Sequence, residues 1–197
     1  MGNSVLDVQI LHSLHLKGIP RKAPKVIPVF WHPPIADWIK VNTDGLSKGN
    51  PGIAASGGVF RNYRGFMKGF FGLCLGIQTA FFAELKSVIL AVSFAWEKGW
   101  HSLWIESDSS AVISSLQNYT FKPPWPLLNE WRNCLSLIKK MNVIFSHIYR
   151  EGNSIADKIA NLALNFFDLT WWHADSGVVP SELARDMLGL PFYRSVS

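Results

Sequence analysis

An α/β fold is predicted, a five-stranded mixed sheet made of a three-stranded antiparallel meander plus two parallel strands and flanked by helices. Two observations predict it. Residues 38–78 fall into three runs of β-branched, aromatic and small residues, divided by Gly, Asn and Pro and lacking a helical period. From residue 79 onward apolar residues recur at three- and four-residue intervals, and these helical stretches alternate with two short apolar runs of the kind that helices cover.

Residues 1–37 form a lead-in. VLDVQILHSLHL suits a short amphipathic helix, whereas RKAPKVIPVFWHPP, with four prolines, reads as an extended linker. The domain proper spans 38–167 and opens with WIKVNTDG, a strand that Asp44-Gly45 is expected to break and that Gly49, Pro51 and Gly52 fold back. ASGGVFRN and FMKGFFGLCLG complete the meander around a turn at 62–65. A helix follows over 79–98, with Phe82, Leu85, Val88, Ile89, Val92 and Trp96 on its inner face and Gly99 ending it. SLWIES is the fourth strand, and the helix over DSSAVISSL takes Ser107 or Asp108 as its cap. A proline-bearing loop at 118–124 leads to a third helix over 125–140 and then to the fifth strand, MNVIFSHIYR. SIADKIANLALNFF closes the domain as a helix that presents Ile155, Ile159, Leu162, Ala163 and Phe166 on one face. The tail, 168–197, is expected to pack loosely or not at all.

Composition narrows the function classes. No stretch approaches the ~18 apolar residues of a membrane helix, the first residues lack a signal-peptide pattern, and Leu6 stands where a myristoylation motif wants Ser or Thr. Cys74 and Cys134 have no metal-ligand spacing and read as core thiols of a reducing compartment. The net charge is +5, and residues 41–165 hold twelve Lys and Arg against eight acids. That excess suits a polyanionic partner, and it equally suits a basic solvated surface.

Four of the acids are placed where a mixed sheet builds a site. Asp44 ends the first strand, Glu84 lies in the first helix, Asp108 follows the fourth strand, and Asp157 opens the last helix. If the fourth strand pairs beside the first, their carboxyl ends meet at one edge, where open sheets carrying helices form sites. Each acid also has a local explanation: a turn residue, a solvated helix position, a helix cap and a first-turn charge.

Taken in order, Asp44-Gly45 with Gly49-Asn50-Pro51-Gly52, then Ala83-Glu84-Leu85, Glu106-Ser107-Asp108-Ser109, His147, Arg150-Glu151-Gly152-Asn153 and Ala156-Asp157 resemble the ribonuclease H family. The resemblance covers about 38–167 and looks closest to the ribonuclease H-like domains derived from plant non-LTR retrotransposons, which share the WHPP lead-in. It implies a ribonuclease H-like fold and endonucleolytic hydrolysis of the RNA strand of RNA–DNA hybrids by two-metal phosphodiester hydrolysis. It further implies Asp44, Glu84, Asp108 and Asp157 as ligands of Mg2+, or of Mn2+, with His147 assisting proton transfer. Asn50, Asn153 and Ser110 take positions that contact nucleic acid in the family, and Arg61, Arg64, Lys68, Lys122, Lys139 and Lys140 supply a diffuse phosphate-binding patch. A monomer without membrane contact is expected. The sequence departs from the family at Ala80, Phe81 and Phe82, where many members carry polar residues that touch the hybrid, and at Ser110, where the cellular enzymes commonly carry glutamine. Those departures support a second reading, a non-catalytic nucleic-acid- or protein-binding module of the same fold.

Overall fold

The computed structural model describes residues 4–15, 24–118, 121–174 and 182–196, so parts of the lead-in and tail expectations lie outside the described residues. The chain divides into two units. The smaller comprises residues 1–28 and 193–197. It contains helix α1 (Val5–Ser13) and most of a two-stranded sheet formed by β1 (Lys25–Val29) and β8 (Phe192–Val196).

The larger unit, Val29–Phe192, is built on a sheet of six strands in the order β6-β5-β2-β3-β4-β7. The meander is as expected: β2 (Ile39–Gly49), β3 (Gly52–Arg61) and β4 (Met67–Gln78) pair antiparallel. β5 (Ser102–Ser107) lies parallel to β2, and β6 (Asn142–His147) lies parallel to β5. The sixth strand, β7 (Thr170–His173), comes from the tail and pairs antiparallel with β4. Apolar burial explains why that segment does not pack loosely. Trp171 places its ring 5.0 Å from Phe94 and 5.7 Å from Phe60, centroid to centroid, and Trp172 stacks on Phe70 at 4.9 Å. Two half-buried tryptophans, at up to about 2–3 kcal/mol each, approach the cost of ordering a four-residue edge strand, about 1–2 kcal/mol per residue.

Among the described residues of this unit the α-helices are α2 (Ala80–Glu97), α3 (Ser110–Gln117), α4 (Leu128–Ile138), α5 (Ser154–Ala163) and α6 (Glu182–Met187). Consecutive strand residues face opposite sides, and β3 shows the consequence. Phe60 joins one core cluster with Leu85, Val88 and Ile89 of α2, while Val59 joins a second with Ile155 and Ile159 of α5. The sheet is therefore covered on both faces, as the apolar run of β5 predicts.

Local chemistry sets the helix ends. Thr79 caps α2 by accepting the Phe82 N–H at 3.2 Å, and Gly99, at φ +71°, ends the turn that follows. The helix expected over 125–140 begins as a 3-10 turn, Trp125–Leu127, with Pro126 in the first turn, where a missing N–H costs nothing. β2 differs more from expectation. It runs through Asp44-Gly45 unbroken and turns only at Gly49, so Asp44 sits inside a paired strand opposite Gly57.

Candidate active site

The register of the sheet brings the acids together. Thr43 lies beside Ser107 and Ser107 beside His147, so one step further along each chain Asp44, still inside β2, comes next to Asp108, just past the end of β5. Glu84 reaches them from above. Its helix settles against β2 at Gly45, where a Cβ would stand 2.1 Å from the Glu84 backbone nitrogen, and the Ser56 hydroxyl opposite Gly45 donates to the Ala83 carbonyl at 2.6 Å. Asp44, Glu84 and Asp108 thereby present carboxylate oxygens within 4.8 Å of one another.

The local explanations for two of these acids fail. Asp44 is not a turn residue, and Asp108 does not cap α3, whose N-cap is Ser109 without a side-chain bond. The expected capping by Ser107 is partly realised, since its Oγ accepts the Ser109 N–H at 3.1 Å.

Asp157 stands beside the cluster without joining it. Its Oδ1 accepts from the exposed Arg150 guanidinium at 3.1 Å, although its charge is still felt at Asp44. His147, exposed at the end of β6, donates from Nε2 to the Asp108 carbonyl at 3.2 Å and meets Tyr149 edge-on. Exposed Asn50 accepts the Ala80 N–H at 3.2 Å, holding the hairpin tip against the start of α2, and Ser110 is exposed at the start of α3.

Asn153 is a correction to the expectation of nucleic-acid contact. It is only 1% exposed and spends its polar atoms inside the protein: its amide donates to the Thr43 carbonyl at 3.0 Å and to Asp108 Oδ1 at 2.9 Å. Arg61 is likewise no phosphate ligand, because it is fully buried against Asp186. Phe81 packs edge-on against Phe121, so its departure from the polar pattern serves the core.

Burial, then the neighbouring charges of Asp108 and Asp157, holds the Asp44 carboxyl above its ordinary value. Burial, then Asp44 and Asp108, does the same to Glu84 more strongly, and Glu84 Oε2 is buried without a hydrogen-bond partner. An orphaned buried acceptor beside two further carboxylates, all hard oxygen donors, fits a divalent cation of the magnesium or manganese kind.

Sequence reading missed the polar layer beneath the acids. Lys40 and Glu106 form a buried pair at 2.8 Å, and Lys40 also donates to the His32 carbonyl and lies 3.7 Å from the Trp104 ring centroid. Asn42 sits between Glu106, Arg61 and Asn153. The alternation of β2 carried a signal for it: Lys40 and Asn42 occupy the same face of a strand too buried to leave them solvated. Trp31 shares this layer, donating its indole N–H to Asn42 Oδ1 at 2.9 Å and covering the Arg61 guanidinium at 3.6 Å. The lead-in from Val29 onward is thus part of the folded unit.

Residues 42–163 match the family model described as reverse transcriptase-like. The chain belongs to that family. An Arabidopsis thaliana protein that carries a ribonuclease H name is 38% identical over 164 residues, covering 81% of this chain. The chain spans about a quarter, 26%, of that relative's length. Among solved structures, the RNase H1 of Halobacterium salinarum is 29% identical, with a TM-score of 0.57 over 64% of this chain and 97% of that one. LC11 RNase H1, solved in complex with RNA/DNA hybrid, is 26% identical with a TM-score of 0.57, over 64% and 96% of the two chains. The ribonuclease H-like fold expected from the motifs is the fold observed.

Proposed function

We propose that this chain is a divalent-cation-dependent endonuclease that hydrolyses the RNA strand of RNA–DNA hybrids, of retrotransposon origin, acting as a monomer. The observation that carries this reading is the convergence of Asp44, Glu84 and Asp108 within 4.8 Å at the edge of the sheet. Such a cluster is costly to bury unless cations offset it. Solved relatives that include a hybrid-bound RNase H1 supply the substrate class.

Asp44, Glu84 and Asp108 would hold magnesium or manganese, with Asp157 beside them. When bound, the cation supplies positive charge against the phosphate's developing negative charge and acidifies an attacking water. The chain's own groups do the rest. Asn153 fixes one oxygen of Asp108, leaving the second for a ligand. His147, held at the rim by the Asp108 carbonyl, is placed to pass a proton to or from solvent. Arg150, largely exposed, neutralises Asp157 in the free protein and is placed to meet a phosphate of incoming substrate. Exposed Asn50 and Ser110 flank the site at the starts of α2 and α3, where nucleic-acid contacts are proposed. No helix among the described residues is long and apolar enough to cross a membrane.

The Arg150–Asp157 pair also gives the second reading its one specific support. If that pair persists when nucleic acid binds, Asp157 never joins the other acids and the domain binds without cutting. Incubating the protein with end-labelled RNA–DNA hybrid, RNA duplex and DNA duplex, each with magnesium or with chelator, separates the readings. Cleavage confined to the RNA strand of the hybrid and abolished by chelator is expected. Binding without cleavage would support the module instead.

A further inference from the structure

We propose that the C-terminal helix α6 positions Asp108 from below, through a buried chain of hydrogen bonds running Asp186, Arg61, Asn42, Asn153, Asp108; the inference rests on reading Asp108 as a cation ligand. Asp186 pairs with Arg61 at 2.5 Å, with both side chains almost wholly buried. Arg61 donates to Asn42 Oδ1 at 2.8 Å, Asn42 donates to Asn153 Oδ1 at 3.1 Å, and Asn153 donates to Asp108 Oδ1 at 2.9 Å.

Donor and acceptor chemistry gives this chain a single direction. Trp31 and Arg61 have only donors to offer, so the Asn42 oxygen must face them. The Asn42 amide is thereby aimed at Glu106 Oε2 and at the Asn153 oxygen. With its oxygen taken, Asn153 turns its amide toward the Thr43 carbonyl and Asp108. Neither amide can flip without setting donor against donor in a site closed to water, where a lost partner costs most. The orientation of Asp108 is therefore set from the far end, by Trp31 and by what holds Arg61.

Asp186 is that hold. Removing its charge leaves a buried guanidinium that still feels the charge of Glu106. Arg61 would turn toward it and take Asn42 along. The tail thus contributes to the site without touching it, which makes Asp186, Arg61, Asn42 and Asn153 positioning residues.

The test uses the whole 197-residue chain in four forms: wild type, Asp186→Asn, the apolar pair Arg61→Met/Asp186→Leu, and Glu182→Gln, which cuts the surface tie between α6 and Lys158. Two readouts are taken, Mn2+ affinity by calorimetry and the Asn153 side-chain amide resonances of the metal-free protein by NMR. Asp186→Asn is expected to shift the Asn153 resonances and weaken Mn2+ binding by about tenfold, the range of outer-sphere changes at metal sites. Glu182→Gln should change neither. Should Asp186→Asn fail to fold, the apolar pair decides, since it removes the ion pair without leaving a buried charge. It too should shift Asn153 and lose affinity. Wild-type Mn2+ affinity in a folded variant overturns the proposal. If the wild type binds no Mn2+, the reading of Asp108 as a ligand fails; movement of the Asn153 resonances then still upholds the coupling, and unmoved resonances overturn it.

Discussion

Gly45 lies so close beneath Glu84 that a Cβ added to it would stand 2.1 Å from the Glu84 backbone nitrogen. That closeness is how a helical carboxylate reaches a strand carboxylate, and it fixes a consequence. Gly45→Ala must push α2 away from β2 at the point where Glu84 and Asp44 meet. Overpacking of this kind costs about 1–3 kcal/mol, and the clash here is with backbone that cannot rotate away, so about 3 kcal/mol is expected. A urea melt of the variant measures it. Hybrid cleavage should fall with it even at temperatures where the variant is fully folded.

Asp108→Asn should separate folding from chemistry. The amide oxygen can still accept from Asn153, and Asp108 caps no helix, so the fold and hybrid binding should be kept. What goes is a charged ligand, and a loss of several kcal/mol of transition-state stabilisation corresponds to about a thousandfold in rate. Single-turnover cleavage in magnesium is the measurement; a wild-type rate would remove Asp108 from the site.

That Asp44, Glu84 and Asp108 would meet was legible in the sequence, because each sits in a short motif on, or next to, a strand or helix. Their support was not. Asn42, Glu106, Arg61 and Asp186 are far apart in sequence and meet only once β2, β3, β5 and α6 are assembled. Trp31 and Trp171 were hidden for a related reason: a proline-rich lead-in and an aromatic tail lack periodicity, and only the aromatic and cationic surfaces they cover explain their order. Asp44-Gly45 misled through its turn chemistry. The glycine serves a close helix approach, a use that turn preferences alone do not reveal.

Hybrid binding should depend steeply on salt. With Phe81 turned into the core and Asn153 buried, few polar side chains remain to read bases, whereas Arg64, Lys68, Lys122, Lys139 and Lys140 are all exposed. Neutralising phosphates with about three of them gives a slope of about −3 in a plot of log affinity against log salt. Affinity should vary little among hybrids of different sequence. A nearly flat plot would show that no basic surface engages the backbone.

The carboxylates should make the metal-free protein less stable as pH rises. Asp44 is raised from 3.8 to about 7 and Glu84 from 4.5 to about 10, both chiefly by burial. A raised folded-state value means that the native state holds protons that the unfolded chain has released, so stability falls with rising pH above the ordinary carboxylate range. For Asp44 the loss accumulates between pH ~4 and ~7, and for Glu84 it continues into the alkaline range. Magnesium binds the deprotonated, folded site, so it should raise the melting temperature by mass action and flatten this dependence. Asp44→Asn relieves one like-charge contact and one buried charge. Its metal-free form should gain about 1 kcal/mol at neutral pH, a rise in melting temperature of about 2–4 °C for a chain of this size. The same variant should lose both cleavage and the magnesium response. Melts of wild type and Asp44→Asn at pH 5 and pH 8, each with chelator and with magnesium, check all of this in one series. Identical melting temperatures for the two proteins throughout, with no response to magnesium, would mean that Asp44, Glu84 and Asp108 do not act as one site.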